Sequence, residues 1–250
     1  MAQNPTDRPD KSLQRGPEKK APAGNESEID AFLQKVKATP PANKTPGVRG
    51  RLIFGMDATA SREPTWDRAC QIQGEMFTAT AELGGLDVQL VFFRGFGECK
   101  ASKWASDGKA LARLMTSVMC RAGRTQLGRV LSHAVGEASK AKVGALVYVG
   151  DCFEEDIDSV CHTAGELGLL GVPAFMFHEG NDMVAARAFR EIARLTGGAY
   201  CPFDTGSAKQ LRELLSAVAV YAAGGRAALL EHGKRHGGMA LQLTHNMTGK

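Results

Sequence analysis

Apolar residues in this chain follow two alternating patterns. Short, nearly unbroken runs at 52–56, 88–94, 145–150 and 171–177 have the length and composition of strands buried on both faces. Between them, apolar residues return at helical spacing. One expected buried stripe is Trp66, Ala69, Cys70, Met76 and Phe77 with the polar Gln73 and Thr80 on the same face, and the next is Leu111, Leu114, Met115 and Val118. Leu127, Val130, Leu131, Ala134, Val135 and Ala138 form a third, and Ile157, Val160, Cys161, Ala164 and Leu167 a fourth. Further along, the pattern predicts a helix over about 182–195, a short strand over 199–203 and a last helix on Leu211, Leu214, Leu215 and Val218. Glu63-Pro64 suits a helix start, while Gly84-Gly85, Gly197-Gly198 and Gly224-Gly225 punctuate helix ends. Gly95-Phe-Gly97 predicts a tight return into a short antiparallel edge strand.

Strand and helix alternating in this way predict an α/β domain with a mainly parallel sheet and right-handed crossovers. In such sheets, ligands sit outside the carboxyl ends of the strands. The flanks differ in kind. Residues 1–26 are rich in Pro, Lys, Gln, Asn and Gly without apolar period, so disorder is expected there. A capping-box-like Ser27-Glu-Ile-Asp30 then opens a short amphipathic helix over 27–38, with Ile29, Phe32, Leu33 and Val36 on one face. The Pro-rich stretch 39–46 ends it. That helix either docks on the domain or offers itself to a partner. The expected organisation is a tail over 1–48, a domain over 49–222 and a second tail over 223–250.

Charge sharpens this division. The chain carries a formal +4, yet residues 1–50 hold +3, residues 223–250 another +3, and the middle −2. Basic tails around a near-neutral domain are ordinarily solvated, and with 6% aromatic residues a nucleic-acid surface is not expected. No apolar stretch is long enough to span a membrane and no secretory h-region opens the chain, so a cytoplasmic location is expected. Six cysteines, at 70, 99, 120, 152, 161 and 201, show no Cys-x-x-Cys pair. They are expected to be reduced, and zinc is not.

The chemistry concentrates after the first strand. Arg51-Leu-Ile-Phe-Gly-Met-Asp57-Ala-Thr59-Ala-Ser61 delivers a carboxylate and two hydroxyls to the loop at its carboxyl end. Oxygen donors of this kind suit a hard divalent cation. Two candidates at the same edge complete such a site. They are Thr125, at the front of a helical pattern, and Asp151, directly after the strand 145–150. Acids at 154–158 read as the first turn of the next helix, and His178 and Glu179 fall on a neighbouring loop.

Asp57-Ala-Thr59-Ala-Ser61, then Gly123-Arg-Thr125, then Val149-Gly-Asp151 resembles the metal-ion-dependent adhesion site of von Willebrand factor A domains, Asp-x-Ser-x-Ser with a distant Thr and Asp. Thr59 keeps the hydroxyl, whereas Cys152 stands where many members have Gly. The resemblance covers roughly residues 50–222, including Ile192-Ala-Arg-Leu-Thr-Gly-Gly-Ala-Tyr200. It implies a three-layer, Rossmann-like fold. It also implies that Thr59, Ser61 and Thr125 bind Mg²⁺, or Mn²⁺, while Asp57 and Asp151 hold its waters. A partner protein's Asp or Glu would fill the open position. Arg62, Arg124, His178 and Glu179 are expected on the partner-binding rim.

Other classes stay in view. A phosphoester hydrolase using Asp57 as nucleophile needs an acid two positions on, where Thr59 stands. A site of this family that no longer binds metal is the third reading. No Gly-x-Gly-x-x-Gly follows the first strand, and 121–128 lacks the Gly-Lys-Ser/Thr ending of a phosphate loop. The tail with His232, His236 and His245 carries no motif, and the oligomeric state is not legible.

Overall fold

A computed structural model describes residues 49–64, 86–203 and 216–223, with isolated positions at Ala31, Gln34, Lys35, Ala38 and Glu213. Strands β1 (Gly50–Asp57), β2 (Leu86–Arg94), β3 (Glu98–Ala101), β4 (Ala145–Gly150), β5 (Ala174–Glu179) and β6 (Ala199–Phe203) form one sheet. Their order is β3-β2-β1-β4-β5-β6. Only β3 runs antiparallel to its neighbour. Helices α1 (Gly108–Thr116), α2 (Leu127–Lys140), α3 (Ile157–Leu169) and α4 (Met183–Leu195) flank it. The predicted mainly parallel sheet with one short antiparallel edge strand is thus what forms.

Two apolar clusters, one on each face, make three layers. Leu52, Phe54 and Met56 point one way, to meet Leu111 and Met115 of α1 and the helical residues 216–223. Ile53, Leu146, Tyr148 and Met176 point the other way, onto α2, α3 and α4. Each fully buried aliphatic side chain contributes about 1.5–3 kcal/mol, so both faces hold the sheet. At Gly55 a Cβ would collide with the Val130 side chain. The missing side chain lets α2 lie close on β1.

The periodicity reads α1 and β5 imperfectly. Leu114 is exposed, and α1 ends before Val118, whose amide closes the final turn on the Met115 carbonyl. In the segment expected to be a strand from 171, Gly171 adopts a φ of 71° and Val172 bonds back to Leu167, so these residues belong to the turn after α3. The strand starts at Ala174 and runs on through His178 and Glu179. Of the expected helix over 63–82, Glu63 and Pro64 are helical and the rest lies outside the described residues. The tails lie outside too, apart from Ala31, Gln34, Lys35 and Ala38, which are helical and exposed, and Ala223, which is helical and buried in the domain.

Candidate metal centre

The order β2-β1-β4 places a topological switch at the carboxyl end of β1, where the chain leaves in opposite directions along the sheet and a crevice opens. Asp57 ends β1 in that crevice, with no exposed surface. Its Oδ1 accepts the Thr59 N–H at 2.8 Å, which bends the chain into a tight turn. Thr59 Oγ1 and Ser61 Oγ then stand 3.0 Å apart, the first buried and the second exposed.

Backbone contacts bring the second segment in. Thr59 bridges Arg121, and the Arg121 N–H bonds the Ala58 carbonyl at 3.0 Å. At Gly123 a Cβ would collide with the backbone of Gly95, at the tip of the β2–β3 hairpin. This close approach, sealed by the Arg124 N–H on the Gly95 carbonyl, sets the path into Thr125. Thr125 is buried, and its Oγ1 accepts the Glu154 N–H at 2.9 Å. A hydroxyl retains a proton and a second lone pair after one such bond.

The third segment follows β4. Asp151 is half-buried, and a carboxylate oxygen of Asp57, one of Asp151 and the Cys152 Sγ all lie within 4.8 Å of one another. Asp57 Oδ2 and Asp151 Oδ1 are buried without a hydrogen-bond partner among the described residues. Burial pushes the Asp57 carboxyl up to about 6, opposed by the bonds from Thr59. The Cys152 thiol is pushed up to about 12 by burial and then by Asp151 and Asp57, which favours the protonated form in the metal-free site. Two carboxylates with unused buried oxygens, beside paired hydroxyls, fit a hard cation with oxygen ligands.

The acids after Asp151 work differently from the expectation. Asp156 does cap its own helix, accepting the Ser159 N–H. Glu155 instead caps the neighbouring α2, taking the Leu127 and Gly128 N–H groups at 2.5 and 3.0 Å, while the Gln126 side chain at the cap position is turned to the Arg94 and Gly95 carbonyls and caps no amide of its own helix. The signal was present, since 154 and 155 precede the first turn of α3.

Of the four residues expected on the rim, Arg124 alone is exposed. Arg62, His178 and Glu179 are 2%, 1% and 7% exposed. Arg62 pairs with Glu179, and His178 Nδ1 meets the Tyr200 hydroxyl at 3.0 Å. Burial lowers the pKa of His178, which favours the neutral ring. These three residues wall the site from within. The five described cysteines form no disulfide among themselves, and among the described residues no helix is long and apolar enough to cross a membrane.

No protein-family model matches the chain, and no curated protein matches its sequence. Solved structures do match its fold. The SpRpn10 VWA domain is 13% identical, with a TM-score of 0.53 over 69% of this chain and 95% of that one. The vWF domain of the type V pili tip protein Mfa5 from Porphyromonas gingivalis is 8% identical, with a TM-score of 0.54 over the same shares, 69% and 95%. The pilus adhesin SpaC from Lactobacillus rhamnosus GG, in its open conformation, is 14% identical, with a TM-score of 0.52 over 73% of this chain and 31% of SpaC. The fold is that of a von Willebrand factor A domain.

Proposed function

We propose that this domain is a metal-dependent protein-binding module. The observation that carries the reading is the pair of buried, unpartnered oxygens, Asp57 Oδ2 and Asp151 Oδ1, beside the Thr59 and Ser61 hydroxyls at the switch point of the sheet. Mg²⁺ suits this donor set, and Mn²⁺ is an acceptable substitute. The hydroxyls of Thr59, Ser61 and Thr125 would hold the ion, with Asp57 and Asp151 binding its waters. Bound there, the cation would offer positive charge and an open coordination position to an Asp or Glu of a partner protein.

Exposed Arg124 adds charge of the same sign beside the opening. Two of the similar structures are pilus proteins, one of them an adhesin, which supports binding over catalysis. The reading is non-enzymatic, and the free thiols of the described cysteines suit a reducing cytoplasm.

Retention of a partner from cell extract, with Mg²⁺ and with EDTA, tests the reading. Wild type should retain an acidic partner with Mg²⁺ only, and Asp57→Ala and Asp151→Ala should lose it while staying folded. Metal titration should show one site, weakened about 10–100-fold by either substitution. If the metal-loaded protein retains nothing but turns over a phosphoester, with Asp57→Ala inactive, a hydrolase replaces the module.

A further inference from the structure

Arg62 closes the 3₁₀ turn Ala60–Arg62 after Ser61, and it is the bulkiest of the fully buried side chains. A guanidinium has no neutral form to retreat to, so burying one requires anions around it. One is Glu179, at the end of β5. Between β1 and β5 lies β4, and neighbouring strands are about 4.8 Å apart. Rooted just past β1, the Arg62 side chain reaches Glu179 only by crossing the end of β4.

Asp151 sits there. Gly150 is level with His178, which puts Asp151 level with Glu179. Asp57 is on the near side of the same crossing, since Met56 is level with Val149. Asp57 and Asp151, whose carboxylate oxygens lie within 4.8 Å of each other, thus flank the path between Arg62 and Glu179. The guanidinium therefore serves more than its ion-pair partner.

We propose that Arg62 is a built-in counter-charge for Asp57 and Asp151, holding the two acids together in the metal-free domain while Glu179 anchors it from the far side. Three carboxylates and one guanidinium leave two negative charges, which a divalent cation balances. That last step rests on the metal-binding reading, and the counter-charge itself does not.

The test is thermal unfolding in EDTA and in Mg²⁺ of the full chain, its Arg62→Met/Glu179→Met variant, and each of the two with Asp57→Asn added. Replacing a buried ion pair by apolar residues of similar volume is often neutral or stabilising. If Arg62 served Glu179 alone, the double variant would melt in EDTA at or above wild type, and that result overturns the proposal. The expected result is a midpoint several degrees lower in EDTA, with Asp57→Asn raising the double variant's midpoint more than it raises wild type's. A double variant that fails to fold in EDTA is read through the same added substitution, and an Asp57→Asn gain no larger than that in wild type overturns the proposal. Mg²⁺ should raise the double variant's midpoint more than wild type's. An Asp57→Asn gain larger in the double variant than in wild type, with no response to Mg²⁺ in any protein, upholds the counter-charge and removes the metal-binding reading instead.

Discussion

Thr125 and Glu154 bond each other twice. The Thr125 hydroxyl accepts the Glu154 N–H at 2.9 Å, and the Glu154 carboxylate accepts the Thr125 N–H at 3.2 Å. The loop before α2 is thereby joined to the loop after β4, which ties the site's second segment to its third. Thr125→Val keeps the shape and removes the acceptor, so it should cost about 1–2 kcal/mol in urea unfolding with EDTA. Thr125→Ser should cost less, and equal stability of Thr125→Val and wild type would show that the hydroxyl bond contributes nothing.

A second expectation concerns pH. The folded protein holds the Asp57 proton more tightly than the unfolded chain, because burial pushes this carboxyl from 3.8 to about 6. The sign follows from linkage: the contribution is fully present below about pH 4 and is lost as pH rises through 6. Above that, ionised Asp57 costs the metal-free protein on the order of 3 kcal/mol. Asp57→Asn should therefore be more stable than wild type at pH 7 in EDTA, with the two curves converging toward pH 4. Parallel stability curves between pH 4 and pH 7 would refute this.

Tyr148 supplies a third. Its ring stacks with Phe93 at 6.4 Å and meets the edge of Phe189 at 5.4 Å, yet its hydroxyl is buried with no hydrogen-bond partner among the described residues. An unpaired buried hydroxyl costs about 1–3 kcal/mol. Tyr148→Phe should raise the metal-free midpoint for chemical denaturation. A fall would mean that the hydroxyl holds a water of the site.

The fourth concerns Glu155, which caps α2 from outside that helix. Glu155→Ala strips both orphan amides of their acceptor and removes charge from a helix N-terminus, each effect worth about 1 kcal/mol. Amide hydrogen exchange at Leu127 and Gly128 should speed up more than in β4. Unchanged protection would rule out the cap.

Much of this was legible in the chain. Strand 145–150 and Asp151 after it appear where the apolar run ends, because a strand covered on both faces needs no polar alternation. The hydroxyl turn at Asp57 is local as well, set by a bond spanning two residues. His178 and Glu179 were not legible. They look like loop residues, and what buries them comes from Tyr200 and from Arg62, far off in sequence. Periodicity reports only neighbours along the chain, so a polar residue buried by a distant partner carries no local mark. Gly123 is similar, since its need for a bare Cα arises from Gly95 across the fold.

The sheet order has a consequence for how the protein is made. β1 is the first strand described but sits in the middle of the finished sheet, and β4, which completes its other edge, comes long after β2 and β3. During synthesis an early β1–β2–β3 unit would carry Asp57 with one side of its strand unpaired. The guanidinium of Arg62 must then wait for Asp151 and, later still, for Glu179 before it can be buried. Closing such long-range contacts is slow relative to local ones. The candidate crevice thus takes shape on the nascent chain only when β4 has joined the sheet, and Arg62 is sealed against Glu179 only when β5 follows.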